Sequence, residues 1–428
     1  MRRQTSAYER VMFYYSNLGP MYFAFRLKII GPVTGERLTE ALSKTRVEFP
    51  LSAVRVEKLP DNRQFITTEN VPEYPLTVRE DFAGSVTDEC ISLLRTHFDN
   101  EKGPMVRFKL LRNGTENHLL AVFQHAVVDG IAAVIFLERL MEHLGDPDLI
   151  PVAPDEDSWA PMLNKIVSPE NMKIIGSFDP PEYKNNKDYT KYTPKGATPE
   201  PFPILPFNVH AHAFSKSETD SIVAAAKACG TTVHAYVGAM ILQSFAEEFG
   251  PADGYTRTIQ SPINFRSQLR AGSERLFGLF NGLITAKSDC LPGRPTEEIA
   301  REIGQKLHDR IESRKPLSGY YNFMSYLLDG VDDPEEFYAN REGHTIEEYD
   351  FSFSNLGRIE MASQYGDLAV TDVFGPTFSA TRGERVIGAL TFDGRLFMNM
   401  IYDSNCFEPA MGQRIWERIV ARVSSVTP

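Results

Sequence analysis

The sequence predicts an α/β (α+β) protein built from two lobes, and three observations lead to this prediction. The chain has 428 residues, which is more than one ordinary hydrophobic core accommodates. A proline-rich stretch at 180–206 divides it into two parts of similar length. On both sides of that stretch, segments with strand periodicity are interspersed with segments of helical periodicity. We therefore expect each lobe to be a sheet with helices packed on it.

The first lobe is predicted to span 1–179. Phe23, Phe25, Leu27 and Ile29 alternate with other residues, which is typical of a strand, and Asn113-Gly114 is a strong hairpin signal. The predicted elements are a strand at 22–30, a helix that ends before Pro50, strands at 105–111 and 118–123, and a helix at 131–144.

The second lobe is predicted to span 207–428, after an extended linker at 180–206 that holds seven prolines. The alternative for 180–206 is an insertion within a single domain. Ser215 and Glu218 match a capping box, and Thr232 is a good N-cap for the next helix. The predicted elements are strands at 207–214, 350–354, 386–393 and 396–402, and helices that start at 215, 232 and 296 or span 409–424.

Composition limits the partners of the protein. Its 45 basic and 57 acidic residues give a formal charge of −12 without a basic cluster, which argues against nucleic acid and anionic membrane surfaces. No apolar run reaches the ~18 residues of a membrane span, and no signal peptide is recognisable. The four cysteines form no CxxC pair, so we expect them to be buried thiols. The protein is expected to be a cytoplasmic monomer.

The most informative motif is HAVVDG, residues 125–130, which lies between two apolar runs at 119–123 and 131–137. His125 follows a buried strand, where a general base with a pKa near neutrality can face a cavity. Asp129 can orient the imidazole or cap the following helix, and Gly130 can adopt a positive φ or let a substrate approach the backbone. The alternative is a core histidine beside a helix N-cap.

Two further polar segments follow strand-like runs in the second half. Arg266, in the run that ends Asn264-Phe265-Arg266, is expected to pair with a buried acid such as Asp129, because neither charge is stable alone in an interior. Its alternative is a solvated loop arginine. The second segment is Ser354-Asn355-Leu356-Gly357. Ser354 and Asn355 are expected to donate hydrogen bonds into a cleft, and the alternative is an ordinary turn.

Other site chemistries find little support in the sequence. His125 with Asp129, and His210 with His212, have no third metal ligand nearby, so no metal site is predicted. The sequence contains no GxSxG motif, and no cysteine has an activating neighbourhood, so nucleophilic catalysis is not predicted either.

Taken in order, several segments resemble the superfamily of condensation domains, chloramphenicol acetyltransferase, plant BAHD acyltransferases and polyketide-associated acyltransferases. The resemblance covers nearly the whole chain and is carried by His97-Phe98-Asp99 with Gly103-Pro104-Met105-Val106-Arg107, the 125–130 motif, Thr232-Val233-His234-Ala235, Ile263-Asn264-Phe265-Arg266, Ser354-Asn355-Leu356-Gly357 and Tyr402-Asp403.

The resemblance implies two chloramphenicol-acetyltransferase-like lobes in a V with a central tunnel. His125 would be the catalytic base, Asp129 would be structural and bound to Arg266, and Ser354, Asn355 and Gly357 would lie near the acceptor. The sequence departs from the family at Gln124, where many members have a first histidine, and at Ile131, where many have tryptophan. It also lacks the DFGWG segment of BAHD enzymes, so the chain is most similar to stand-alone alcohol O-acyltransferases.

The implied activity is transfer of an acyl group from coenzyme A or an acyl carrier protein to a small-molecule hydroxyl acceptor, in lipid or secondary metabolism. No permanently bound cofactor is expected, since the thioester is a co-substrate. Three alternatives remain: amide formation on an amine acceptor, isomerisation or cyclisation of one bound substrate, and a relative that binds without catalysis.

Overall fold

A computed structural model of the protein describes residues 1–18, 20–59, 63–156, 158–176, 206–318, 349–379, 385–404 and 408–427. Most of the predicted linker at 180–206 and Cys406 lie outside the described residues.

Among the described residues, the first half contains seven strands and six helices. Their order is β1 (Arg2–Gln4), α1 (Ala7–Leu18), β2 (Tyr22–Ile30), α2 (Gly35–Glu48), β3 (Arg55–Lys58), β4 (Gln64–Thr67), β5 (Leu76–Arg79), α3 (Val86–Leu94), β6 (Val106–Asn113), β7 (Glu116–Gln124), α4 (Gly130–Gly145), α5 (Leu163–Ile166) and α6 (Pro169–Gly176).

The second half continues with eight strands and four helices among the described residues. These are β8 (Phe207–Ala213), α7 (Lys216–Ala228), α8 (Val233–Asp253), β9 (Thr256–Asn264), β10 (Asn281–Asp289), α9 (Thr296–Glu312), β11 (Phe351–Arg358), β12 (Gln364–Tyr365), β13 (Leu368–Phe378), β14 (Arg385–Phe392), β15 (Arg395–Asp403) and α10 (Pro409–Ser424).

Local chemistry sets several of these boundaries. Ser215 and Glu218 form the reciprocal capping box that the sequence predicts at the start of α7, and the Thr232 side chain accepts from Ala235 N at the start of α8. Helix α8 runs through Pro251, past the predicted end near Phe249, and stops at Gly254, whose φ is +78°. The β6–β7 hairpin turns at Gly114, where φ is +60°.

Two six-stranded mixed sheets form the framework. The first sheet has the order β12-β13-β2-β7-β6-β5, and the second has the order β10-β9-β11-β14-β15-β8. A small sheet, β1-β4-β3, accompanies the first. Each large sheet contributes to a separate hydrophobic core, one around Phe123 and Phe136 and the other around Phe245 and Phe353.

The strand β13 belongs to the second half of the sequence but lies in the first sheet. It pairs antiparallel with β2, with Phe378 opposite Phe23 and Ala369 opposite Ile30. The sequence-based division assigned all of 207–428 to the second lobe, and β12 and β13 do not follow it. Their place in the first sheet is explained by β2, whose buried, apolar side chains would otherwise lie on an unpaired sheet edge.

No helix among the described residues is both long and apolar enough to cross a bilayer.

Candidate active site

His125 lies in a five-residue loop that connects the end of β7 with the start of α4. Its backbone N–H donates to the Met21 carbonyl at 2.8 Å, which ties the loop to the residue preceding β2. The imidazole packs edge-on against Phe23, with ring centroids 5.0 Å apart, and beside Phe378 of β13. The residue is 9% exposed, so its ring is held by aromatic contacts from two strands of the first sheet.

Hydrogen bonding determines which ring nitrogen of His125 is available for chemistry. Nδ1 lies 2.8 Å from the Val128 carbonyl oxygen, and because a carbonyl only accepts, Nδ1 carries the proton. Nε2 of the neutral ring is then unprotonated, and it has no hydrogen-bond partner among the described residues. Burial lowers the pKa of His125 below its ordinary value, although the Val128 carbonyl and the Asp129 charge oppose that shift. The ring is therefore neutral at pH 7, as a general base requires.

Asp129 is turned away from this imidazole and has a full set of donors. Its Oδ1 accepts from Ala132 N at 2.8 Å, which makes it the N-cap of α4. Its Oδ2 accepts from Arg266 Nη1 and from Phe280 N, both at 2.8 Å. Both predicted roles, helix cap and partner of Arg266, are thus present, and neither carboxylate oxygen holds the imidazole.

Arg266 is buried, contrary to the alternative of a solvated loop arginine. The side chains of Arg266 and Asp129 are each 3% exposed, and the guanidinium lies over the Phe280 ring at 4.9 Å. Its remaining hydrogen bonds go to Asn264 Oδ1 and to the Leu276 carbonyl. This ion pair joins the start of α4 to the segment between β9 and β10, so it connects the two halves of the sequence.

Gly130 serves a purpose that the sequence did not reveal. It begins α4 with an ordinary helical backbone, so the predicted positive φ is wrong. A Cβ at this position would lie 2.9 Å from Leu356 Cδ2. The glycine therefore leaves space for Leu356, and its backbone also borders the cavity described below.

The segment Ser354–Gly357 lies at the end of β11 and combines the two readings that the sequence left open. Asn355 Oδ1 accepts from Gly357 N at 2.9 Å, and Gly357 has a φ of +69°, so the Asn-Leu-Gly turn exists. Ser354, Asn355 and Leu356 also line the cavity, whereas Gly357 does not. Gly357 thus shapes the turn, and a direct contact between Gly357 and a substrate is not indicated.

A cavity of about 270 Å³ brings the predicted residues together. Its lining takes His125, Asp129 and Gly130 from the first half and Arg266, Ser354 and Asn355 from the second. The sequence-based reasoning missed Gln260 and Ser352, which also line it. They were detectable in principle, because both are polar residues inside strand-like runs, but the runs do not alternate clearly enough to reveal their face.

The other motif residues support the framework. The guanidinium of Arg107 lies over the Phe98 ring at 4.0 Å and donates to the His97 and Leu93 carbonyls. Gln124, which precedes His125, donates to Asn100 Oδ1 at 2.9 Å. His210 stacks on Tyr402 and Trp416, and within the described residues no group of three or more His, Cys, Asp or Glu side chains is arranged to hold a metal ion.

Comparison with known proteins finds one family model in the second half of the chain. Residues 205–401 match the family model described as the C-terminus of phthiocerol/phthiodiolone dimycocerosyl transferase. A sequence comparison with curated proteins finds no significant match.

Solved structures resemble the whole chain. The first condensation domain of the calcium-dependent antibiotic synthetase is 16% identical, with 100% of this chain and 96% of that chain covered and a TM-score of 0.72. The trichothecene 15-O-acetyltransferase of Fusarium sporotrichioides is 16% identical, with 100% and 95% covered and a TM-score of 0.70. The polyketide synthase associated protein 5 of Mycobacterium tuberculosis is 15% identical, with 99% and 98% covered and a TM-score of 0.67.

These similarities confirm the α/β fold class predicted from the sequence. The chain has the same fold as the condensation domain and the acyltransferases named above, and residues 205–401 match one transferase family model.

Proposed function

We propose that this protein is an O-acyltransferase that moves an acyl group from a thioester donor to a hydroxyl acceptor, with His125 as the general base. The observation that supports this most strongly is the hydrogen bond from Nδ1 to the Val128 carbonyl, which leaves Nε2 as the basic atom of a neutral ring at the cavity. The donor is proposed to be an acyl thioester of coenzyme A or of a phosphopantetheinyl carrier protein.

In the proposed reaction, His125 Nε2 takes the proton from the acceptor hydroxyl as its oxygen attacks the thioester carbonyl carbon. The carbonyl π electrons move to oxygen and give a tetrahedral oxyanion. When the C=O bond re-forms, the C–S bond breaks, and the departing thiolate takes the proton from Nε2. The ester and the free thiol are the products, and the enzyme returns to its starting state without a covalent intermediate.

The surrounding residues have distinct parts in this scheme. Asp129 has its oxygens committed to Ala132 N, Phe280 N and Arg266, so it holds the loop rather than relaying a proton. Ser354 and Asn355 line the cavity and are candidates for contact with the acceptor or the oxyanion. Holding both substrates in one enclosed site lowers the entropic cost of their encounter.

The test replaces His125 with alanine and measures ester formation by mass spectrometry and thiol release with a panel of acyl-coenzyme A donors and alcohols. Removal of a general base is expected to lower kcat/KM about 10²- to 10⁴-fold. His118→Ala is a matched control, because His118 lies on β7, the strand that precedes the His125 loop, is half-buried and does not line the cavity. Turnover by His125→Ala within a few-fold of the wild type contradicts the proposed role.

The same experiment separates the remaining alternatives. Matched amines in place of the alcohols detect an amide-forming enzyme. A product with no added acyl mass indicates isomerisation or cyclisation. Failure to release thiol with every coenzyme A and carrier-bound donor indicates a protein that binds without catalysis.

A further inference from the structure

Three uncharged polar side chains lie side by side on the cavity face of the second sheet. Gln260 on β9 pairs in register with Ser352 on the neighbouring strand β11. Ser354 lies two residues further along β11, and because side chains alternate along a strand, it points to the same face as Ser352. All three line the cavity that holds His125. We call Gln260, Ser352 and Ser354 the polar ribbon.

The polar ribbon is buried and has no protein partner. Gln260 is 6% exposed, Ser352 5% and Ser354 6%. No side-chain hydrogen bond joins any of them to another described residue. Ser261, the neighbour of Gln260 on the opposite face, shows the ordinary arrangement, because its hydroxyl is paired with His234 Nε2 at 2.8 Å. Ser261 thus contacts the helices, whereas the polar ribbon faces the cavity.

The other polar side chains that line the cavity each make at least one hydrogen bond to the protein. Asn264 Oδ1 accepts from Arg266, Asn281 Oδ1 accepts from Tyr8, and the amide oxygen of Asn355 accepts from Gly357 N. The hydroxyl of Ser379 donates to the Pro20 carbonyl. A protein-bonded polar lining thus surrounds three groups that are not bonded.

The polar atoms of these three side chains are accessible from the cavity and make no hydrogen bond to the described protein, so a ligand in the cavity can bond to them without displacing a protein contact. The charge of that ligand is also restricted, since Asp129 and Arg266 are the charged residues of the lining and they neutralise each other. A carboxylate, phosphate or ammonium group would enter this cavity without a counter-ion.

We propose that the polar ribbon is an acceptor subsite that binds a second, unreactive and uncharged oxygen function of the alcohol, such as an ether, ketone or hydroxyl. This proposal rests on the proposed acyltransferase function. The amide N–H of Gln260 and the hydroxyl of Ser352 donate to the two lone pairs of that oxygen, while the reacting hydroxyl is presented to His125. The substrate class is thus a neutral, oxygen-bearing alcohol, distinct from both a plain alkyl alcohol and a charged amino acid.

The test compares acceptors that differ by one oxygen atom. Cyclohexylmethanol is the reference, and the tetrahydropyranylmethanols with the ring oxygen at position 2, 3 or 4 are its shape-matched partners. The measured quantity is the kcat/KM of each isomer divided by the kcat/KM of cyclohexylmethanol. For at least one isomer, Gln260→Leu is expected to reduce this ratio roughly tenfold, which corresponds to the loss of one hydrogen bond. Ser352→Ala is expected to reduce the same ratio.

Ser261→Ala is the matched control, because Ser261 is adjacent in sequence but faces the helices, and it should leave the ratio unchanged. A second readout is stability. Since Gln260 has no protein partner, Gln260→Leu should leave the free energy of unfolding unchanged or raise it, and a clear loss would show that its amide is used within the fold.

The outcomes keep the two proposals apart. If all four alcohols are acylated and Gln260→Leu does not alter the kcat/KM ratios, the proposed subsite is wrong. The proposed acyltransferase function is then still supported. If no alcohol is acylated, the acyltransferase fails, and the subsite is judged from ligand-induced shifts in the melting temperature. A larger shift with a tetrahydropyranylmethanol than with cyclohexylmethanol, lost in Gln260→Leu, supports it, and equal shifts overturn it.

Discussion

The buried ion pair between Asp129 and Arg266 allows a quantitative test of how the two halves of the sequence are joined. Asp129→Asn keeps the size and the N-cap of α4 but leaves Arg266 without its counter-charge. Arg266→Met keeps most of the volume but leaves Asp129 with two backbone donors and no cation. Both side chains are 3% exposed, so each single change is expected to cost about 3–5 kcal/mol, the usual cost of orphaning a buried charge.

The double variant is the decisive measurement. It removes both charges together, so its destabilisation should be smaller than the sum of the two single changes by at least about 1 kcal/mol. Urea unfolding can be followed through Trp159 in the first half and Trp416 in the second, each in a background where the other is phenylalanine. Because the pair joins the halves, the single variants should shift both transitions.

Glu101→Gln provides the control, since the Lys58–Glu101 pair is largely exposed and its loss should change stability by less than about 1 kcal/mol. Single-variant effects that add to within about 0.5 kcal/mol in the double variant would refute the reasoning. A shift confined to one tryptophan would refute the coupling of the halves.

Three further predictions concern the base, β13 and the thiols. Because burial lowers the pKa of His125, and the base must be neutral, kcat/KM should fall only below pH 6.5, and an acid limb centred at or above 6.5 contradicts this. A Cβ at Gly388 would overlap the Pro376 carbonyl oxygen, so Gly388→Ala should destabilise the protein by more than about 2 kcal/mol in urea unfolding, and a smaller loss argues against tight packing there. Burial raises the pKa of Cys90 to about 11 and that of Cys290 to about 12, so mass spectrometry after maleimide treatment of the native protein at pH 7 should find both unmodified, and rapid labelling of either disagrees with the structure.

Local signals in the sequence predicted much of the fold and the centre of the site. The capping box at Ser215, the Asn113-Gly114 hairpin and the break at HAVVDG depend on neighbours in the chain, so residue type alone reveals them. The pair between Asp129 and Arg266 was also expected, because a buried charge requires a partner and the resemblance to known families indicated Arg266 as that partner.

Features that depend on distant contacts were not predictable. Nothing in the pattern of 368–378 identifies β2 as its partner, since strand periodicity reports a face and not a neighbour. The space beside Gly130 depends on Leu356, more than two hundred residues away in the chain. Gln260 and Ser352 gain their meaning only when β9 and β11 are aligned in register.

The crossing of β13 into the first sheet also affects how the protein is made. Phe23 pairs with Phe378, so the first sheet lacks a strand until nearly the whole chain has left the ribosome. During synthesis β2 presents an apolar edge that other chains can pair with, which is a hazard for aggregation. The nascent first half therefore needs protection by a chaperone or rapid completion of the chain, and expressing residues 1–176 alone should yield aggregates that co-expression of the second half reduces.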